Sequence, residues 1–174
     1  LAAPGGTGAS RCGGNYAAAL RAAEYAYKIN ADQVLYLNEA NTHVEEVGSM
    51  NHYHVRKDGT FIIPEFSDTI LRSITSLSVL ELAAAGIIKA RQESVALDAF
   101  LADIRSGEIT EAGGFGTAAV ISPVGQYVFE DGTEITVADG KPGPHSQALY
   151  DLYASYQTGR APAPQGWLGK VPHF

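Results

Sequence analysis

The sequence predicts an α+β fold in one domain that spans residues 1–174. Two patterns carry this prediction: segments whose apolar residues recur with helical spacing are interspersed with short apolar runs, and Asp-Gly pairs stand where strands would reverse. Size agrees with it, because 174 residues, 45% of them hydrophobic, suffice for one core. The sequence contains no internal repeat and no low-complexity segment.

The first predicted helix covers residues 15–28. Its many alanines and few branched side chains favour a helix, and Asn15 is the expected N-cap because its side chain can accept a hydrogen bond from the first turn. The apolar run at 33–37 predicts a buried strand, and the polar segment 38–42 predicts the turn that follows.

A β-hairpin is predicted next, with strands at 51–55 and 60–63. The residues between them include Asp58 and Gly59, a pair that readily adopts the positive φ angles of a tight reversal. This pair therefore fixes where the chain turns back on itself.

Two helices are predicted after the hairpin. Apolar residues recur with helical spacing from Thr75 onward and again over 98–105. Gly86 and Gly107 are placed to end these helices, since glycine is the usual residue just beyond a helix C-terminus.

A second β region and a final helix complete the prediction. Strands are expected at 117–121, 126–129 and 134–137, with a reversal at 131–132 before the last of them. The final helix is expected to begin near Pro144, whose fixed φ suits a first turn.

Composition argues against several classes of function. The formal net charge is −7 and the pI is about 5.1, with the 12 basic residues scattered, so a nucleic-acid surface is not expected. No apolar run approaches the roughly 18 residues that a membrane span needs. Cys12 is the only cysteine, which excludes an internal disulfide and favours a reducing, cytoplasmic location.

Six motifs, in order and with compatible spacing, resemble those of branched-chain aminotransferases, which are fold-type-IV pyridoxal phosphate enzymes. The matching segments are 3–8 with 13–16, 45–51, 70–75, 116–119, 143–144, and 156–159 with Trp167. The resemblance implies the large C-terminal domain of the D-amino acid aminotransferase-like fold. In that family the cofactor lies between this domain and a smaller N-terminal one.

The same resemblance implies partners for the chain. The smaller N-terminal domain is expected to be absent, and Leu1, which is not a natural start residue, suggests a truncated chain. A homodimer, or a complementing small domain, is therefore the expected partner. The small-molecule partner implied is an amino acid or keto acid, because the family transfers amino groups between branched-chain amino acids and 2-oxoglutarate.

Site residues also follow from the resemblance. Tyr16 would bond the phenolic oxygen of pyridoxal phosphate, and Glu46 would face its pyridine nitrogen and keep it protonated. Backbone amides at a helix start would bind the phosphate. The cofactor-binding set is Tyr16, Glu46, Ser49, Ile74, Thr75 and Thr117, and the substrate-binding pair is Thr117 and Ala118.

Arg11 separates this chain from the chemistry of the family. It stands where the relatives carry the lysine that forms an imine with the cofactor, and a guanidinium with a pKa above about 12 cannot replace that amine. Transamination is therefore expected to be impaired or lost. The alternatives are a catalytically silent module that binds pyridoxal phosphate or another anion, and a pocket reassigned to chemistry that needs no imine.

Other interpretations of these residues are weaker. Outside the family context, Glu46 beside Glu45 would be a solvated pair at a strand end. His52 and His54 fall on one face of a strand without a third ligand in register, so no metal site is expected. No Gly-x-Ser-x-Gly elbow supports a hydrolase.

Overall fold

The computed structural model describes residues 2–169, so Leu1 and residues 170–174 lie outside the described part of the chain. Helices and strands are mixed along it, which confirms the predicted α+β class. The helices are α1 (Gly13–Lys28), α2 (Ile74–Ala84), α3 (Leu97–Ser106) and α4 (Pro144–Gln157). The strands are β1 (Leu35–Leu37), β2 (Val44–Val47), β3 (Met50–Arg56), β4 (Phe61–Pro64), β5 (Ala90–Glu93), β6 (Ile109–Gly116), β7 (Val120–Pro123), β8 (Gln126–Val128) and β9 (Glu134–Thr136).

The strand at the centre of the main sheet is β3. It pairs antiparallel with β6 along its length, and with β2 at its start and β4 toward its end. The sheet continues from β2 to β1, from β4 to the parallel strand β5, and from β6 to β7, which makes seven strands. A separate hairpin is formed by β8 and β9.

Side chains of β3 alternate between two hydrophobic cores. Tyr53 and Val55 pack in a cluster with residues of α2 and α4, whereas His52 and His54 lie against Phe100 of α3 on the opposite face. Because successive residues of a strand point to opposite faces, one seven-residue strand contributes to both layers. The sheet therefore lies between α2 and α4 on one side and α3 on the other.

Several predicted elements are confirmed. The hairpin at residues 51–63 is present, and Gly59 has a φ of 80°. Gly86 and Gly107 follow the ends of α2 and α3 with φ angles of 73° and 79°, and Pro144 occupies the first turn of α4. The pairing of β8 with β9 confirms the reversal before residue 134.

Three predictions were wrong. The strand predicted to be buried at 33–37 covers only Leu35–Leu37, and each of these residues is only partly buried. Asn15 does not cap α1, because Cys12 occupies the N-cap position and the Asn15 side chain instead bonds the preceding loop. The strand expected at 117–121 begins only at Val120, since residues 117–119 form the turn between β6 and β7.

The strand β6 was not predicted, and its glycines explain why. A Cβ atom on Gly113 would overlap the Ser122 carbonyl oxygen and lie 2.6 Å from the Tyr53 hydroxyl. A Cβ atom on Gly114 would lie 2.7 Å from a Val47 methyl group. Glycine lowers strand propensity, yet here it permits a close approach of neighbouring groups. Neither β2 nor β5 was predicted as a strand.

Candidate functional site

A cleft opens where the N-terminal loop and the start of α1 meet β2 and the segment that leads into α2. Its walls come from four separate parts of the sequence, which only the tertiary structure brings together. The residues that line it are Ala2, Gly8, Ser10, Asn15, Tyr16, Glu46, Ser49, Thr69 and Leu71.

Asn15 holds the N-terminal loop against α1. Its amide group donates to the carbonyl oxygens of Thr7, at 2.9 Å, and Ser10, at 3.1 Å. In return the Thr7 hydroxyl donates to Asn15 Oδ1 at 2.8 Å. Asn15 thus lines the cleft, although the sequence predicted no site role for it beyond its place in a matched segment and at a helix cap.

A second set of contacts joins this loop to the segment before α2. The Ala9 N–H donates to the Asp68 carbonyl at 3.0 Å, and the Gly5 N–H donates to the Asp68 carboxylate. A Cβ atom on Gly8 would lie 2.6 Å from the Asp68 carbonyl oxygen, so the loop can approach this closely only with glycine there.

Arg11 lies at the edge of the cleft. Its side chain is exposed, and Nη1 donates to the Tyr16 hydroxyl oxygen at 3.2 Å. Within residues 2–169 Arg11 forms no ion pair. The guanidinium therefore adds a permanent positive charge beside the tyrosine that the resemblance places on the cofactor.

Cys12, the next residue, is partly exposed and not buried. The backbone N–H of Gly14 and the Thr7 hydroxyl lower the pKa of its thiol. This direction agrees with the effect of a helix N-terminus on a thiolate.

Glu46 forms the acidic wall of the cleft. The residue is only 6% exposed, and burial, with a contribution from the neighbouring charge of Glu45, raises its pKa to about 7. It is therefore not the solvated strand-end carboxylate that the sequence alone would suggest. Desolvation favours the protonated form, and a positive partner would favour the ionised one.

Glu45 is buried beside it but faces other groups. Its Oε1 accepts a hydrogen bond from the Thr69 hydroxyl at 2.6 Å. Its Oε2 is buried without a partner among residues 2–169. The two adjacent glutamates thus have separate environments, and Glu46 alone lines the cleft.

Asn51 connects Glu46 to the start of α2. Its amide nitrogen lies 3.4 Å from Glu46 Oε1 and 2.8 Å from the Leu71 carbonyl oxygen. Its Oδ1 accepts from the Ser73 N–H at 3.2 Å and from the Ser76 hydroxyl at 2.8 Å. This residue belongs to a matched motif, yet no pattern in the sequence assigned it a contact.

The first turn of α2 presents backbone donors. Ser73 is the N-cap, and its hydroxyl oxygen accepts from the Ser76 N–H at 2.9 Å. In the described part of the chain nothing accepts from the N–H groups of Ile74 and Thr75. Such free N–H groups at the positive end of a helix favour an anion.

The turn between β6 and β7 lies next to this helix start. The Thr75 hydroxyl donates to the Gly116 carbonyl oxygen at 3.3 Å, which places Thr117 and Ala118 beside the first turn of α2. Val120, two residues further on, has a φ of 58°. A β-branched residue rarely adopts that conformation, so the turn holds local backbone strain.

Three of the eight predicted site residues line the cleft, and the other five lie outside its lining. Tyr16, Glu46 and Ser49 line the cleft itself. The remaining predicted residues lie outside its lining and are linked to it by hydrogen bonds or by position in the chain: Arg11, Ile74, Thr75, Thr117 and Ala118.

Arg72 and the histidines lie outside the cleft. Arg72 lines a shallow surface groove with Glu65 and Leu77. His52 and His54 are buried on the other face of the sheet, and no group of three or more potential metal ligands occurs within residues 2–169.

Comparison with known proteins shows similarity over nearly the whole chain. Residues 12–127 match the family described as amino-transferase class IV. A probable branched-chain-amino-acid aminotransferase of Staphylococcus aureus (strain N315) is 41% identical over 171 residues, a match that covers 98% of this chain and 47% of that protein. The branched-chain-amino-acid aminotransferase of Mycolicibacterium smegmatis is 39% identical with the same coverage. The chain therefore spans about half the length of the curated relatives that it matches.

Solved structures agree with this similarity. The branched-chain amino acid aminotransferase from Escherichia coli superposes with a TM-score of 0.81 and 28% identity, covering 99% of this chain and 54% of the other. The branched-chain amino acid aminotransferase from T.th., in complex with N-(5'-phosphopyridoxyl)-L-glutamate, gives a TM-score of 0.75 and 29% identity, covering 93% and 50%. Both solved proteins share the fold described above.

Proposed function

Because this chain belongs to the class IV aminotransferase family, we propose that its cleft binds pyridoxal phosphate without a covalent bond to residue 11. In this proposal it is a branched-chain aminotransferase-like large domain whose amino transfer is impaired or lost. The observation that carries it is the position of Arg11, which donates a hydrogen bond to Tyr16 at the edge of the cleft that Glu46 lines.

The residues around the cleft fit the cofactor chemically. Glu46 would face the pyridine nitrogen, because a buried carboxylate with a raised pKa gains most from a cationic partner. The free N–H groups of Ile74 and Thr75 would bind the phosphate, together with the turn at Thr117. When bound, pyridoxal phosphate supplies an electron-accepting ring that stabilises negative charge at the substrate α-carbon.

Tyr16 would bond the phenolic oxygen of the cofactor. Its oxygen already accepts a hydrogen bond from Arg11, which leaves its own proton free to be donated. The positive charge of Arg11 strengthens this donation, since it polarises the O–H bond of the tyrosine. Ser49 lines the same cleft and offers a further hydroxyl group.

Arg11 would hold the cofactor by charge and hydrogen bonds only. Its guanidinium has no available lone pair, so it neither bonds to an aldehyde carbon nor carries a proton between substrate and cofactor. The proposed consequence is a cofactor that is bound but does not take part in amino transfer. A lysine at this position would restore both missing roles.

The test is to compare the protein with Arg11→Lys and Arg11→Ala. Each is mixed with pyridoxal phosphate, reduced with borohydride and mapped by peptide mass spectrometry. We expect a reduced cofactor adduct at position 11 only in Arg11→Lys. We expect the unmodified protein to bind the cofactor reversibly, seen as a shift in absorbance, and Arg11→Ala to bind it more weakly.

Peptide mapping separates position 11 from the other lysines, which can react nonspecifically. Absence of reversible binding by the unmodified protein, together with no adduct in Arg11→Lys, would contradict the proposal. Rapid keto-acid formation by the unmodified protein would also contradict it, because that requires a proton carrier that Arg11 cannot supply.

A silent anion-binding module is the second candidate. It is favoured by the exposed cation of Arg11 and by the free N–H groups at the start of α2. Inorganic phosphate distinguishes the two, because a general anion site would bind it with an affinity similar to that for pyridoxal phosphate. The third possibility, chemistry that needs no imine, has no group in the cleft that specifically favours it.

For the complete protein, we propose branched-chain amino acid and keto acid substrates. Its proposed partner is a second copy of the chain, forming a homodimer, or a complementing small domain. Helix α1 supports a partner surface, because Ala26 is its one buried residue within the described part. Leu20 is 68% exposed and Tyr27 is 75% exposed. Light scattering of the purified chain measures whether it forms a dimer in solution.

A further inference from the structure

We propose that Asn51 is a positioning residue that connects the Glu46 carboxylate to the first turn of α2 by hydrogen bonds, a connection that we call the tie. Glu46 is the group proposed to face the ring nitrogen of the cofactor, and the first turn of α2 is proposed to bind its phosphate. The tie would hold these two groups in a fixed relative position. This inference rests on the proposed function for its purpose, but the tie itself is a property of the chain. Asn51 does not line the cleft, so it acts only through its neighbours.

The contacts of Asn51 use its whole capacity for hydrogen bonds. A side-chain amide offers two N–H donors and two acceptor lone pairs. The donors point to Glu46 and Leu71, and the oxygen accepts from Ser73 and Ser76. Reversing the amide would place its NH2 group against the Ser73 N–H, so this network fixes the orientation.

Burial makes these contacts specific. Asn51 is 3% exposed and Ser76 is fully buried, so water cannot replace a lost partner. The backbone adds to the connection, because Asn51 pairs directly with Glu46 between β2 and β3, and with Phe115 of β6. One residue therefore joins three strands to the helix start.

The link to Glu46 is the longest of the four, at 3.4 Å, whereas the link to Leu71 is 2.8 Å. A hydrogen bond to a carboxylate is shorter and stronger when the carboxylate is ionised. We therefore expect the Glu46 contact to shorten when a cationic ring nitrogen ionises this carboxyl group. The Asn51 amide would then fix the position of Glu46, which faces the ring, relative to the first turn of α2, which binds the phosphate.

Asn51→Asp and Asn51→Ala test the tie, with Tyr53→Phe as the matched control. Tyr53 lies two residues along the same strand, is fully buried, and loses one buried hydrogen bond to Ser146 in this variant. Two measurements are made without cofactor: the titration of the Glu46 carboxyl carbon by NMR, and hydrogen exchange of the Ser73 amide. Pyridoxal phosphate affinity is then measured against pH.

In Asn51→Asp we expect the Glu46 midpoint to rise, since a donor is replaced by a second carboxylate, while the Ser73 amide keeps its acceptor and its protection. In Asn51→Ala both the Glu46 midpoint and the protection of the Ser73 amide should change. Pyridoxal phosphate affinity at neutral pH should fall about tenfold or more in both variants. In Asn51→Asp the pH profile of binding should also shift to higher pH.

Tyr53→Phe should leave the midpoint, the protection and the pH profile unchanged. If Asn51→Asp folds and matches this control in the Glu46 titration, the tie is refuted. If the unmodified protein binds no pyridoxal phosphate while the two cofactor-free readouts respond as expected, the tie stands and the proposed function fails. If binding occurs but neither Asn51 variant weakens it beyond the control, the positioning role is refuted.

Discussion

Our proposals for the cleft depend on three side chains, Glu46, Asn51 and Arg11. Glu46 is buried, Asn51 donates a hydrogen bond to it, and Arg11 donates to Tyr16 at the edge of the cleft. Glu46 and Asn51 are buried, unlike most residues of their types. Their effect depends on burial and on partners rather than on local sequence.

Glu46→Gln should change how stability depends on pH in the absence of cofactor. The folded chain holds the Glu46 proton with a pKa of about 7, above the ordinary value of 4.5. The stabilising contribution is therefore complete below the ordinary value and is lost as the pH rises through 7. Relative to the unmodified protein, Glu46→Gln should gain stability between pH 5 and pH 8, by no more than about 3 kcal/mol.

Urea unfolding at the two pH values measures this difference. Glu39→Gln is the control, because Glu39 is exposed and the same chemical change there should leave the difference near zero. An equal response of both variants would show that Glu46 is not desolvated in the folded chain.

At the scale of elements, α4 is anchored by a charge from the sheet. Glu111 of β6 is 4% exposed, and its two oxygens accept from the N–H groups of His145, at 2.8 Å, and Ser146, at 2.7 Å. A carboxylate at a helix N-terminus satisfies free donors and interacts favourably with the helix dipole. Gly143 allows this approach, since a Cβ atom there would overlap the Glu111 side chain.

Glu111→Ala should destabilise the protein by about 2–4 kcal/mol, because the backbone N–H groups of His145 and Ser146 lose a charged acceptor. Glu111→Gln should also be destabilising, since its NH2 group would face one of the two donors. Chemical denaturation gives the free energy of unfolding. Glu108→Gln, at an exposed position just before the same strand, serves as the control, and a loss of similar size there would refute the anchoring role.

At the scale of the whole molecule, two buried histidines and one buried glutamate make stability depend on pH in opposite directions. His52 and His54 are buried against Phe100, and burial lowers the pKa of both, that of His54 to about 3. The unfolded chain therefore binds protons below the ordinary value of 6.5 that the folded chain does not, and stability falls as the pH decreases. Glu46 acts in the opposite direction over part of this range.

Since two histidines oppose one carboxyl group, we expect a net loss of stability as the pH falls from 7 to 5. His54→Leu should reduce the slope by up to about 1.4 kcal/mol per pH unit below pH 6. Thermal unfolding across this range measures the slope. His145→Leu changes an exposed histidine and should leave it unaltered; an equal effect of both variants would exclude the buried histidines as the cause.

Local sequence was sufficient where a single residue type determines the backbone. Gly59, Gly86 and Gly107 adopt the positive φ angles that end a strand or a helix, and Pro144 begins α4. Such residues restrict φ and ψ regardless of what lies nearby. The family motifs likewise indicated Tyr16, Glu46 and Ser49, which line one cleft.

Other features depend on contacts between distant parts of the chain. Two positions of β6 hold glycine because Tyr53 and Val47 occupy the space that a side chain would fill. Asn51 connects β3 to the start of α2 because Leu71, Ser73 and Ser76 lie within hydrogen-bond distance of it. Burial and hydrogen-bond partners are set by residues far away in the sequence. The order of residues alone therefore suffices to assign the family, whereas the assembled fold sets which polar groups are desolvated and joined.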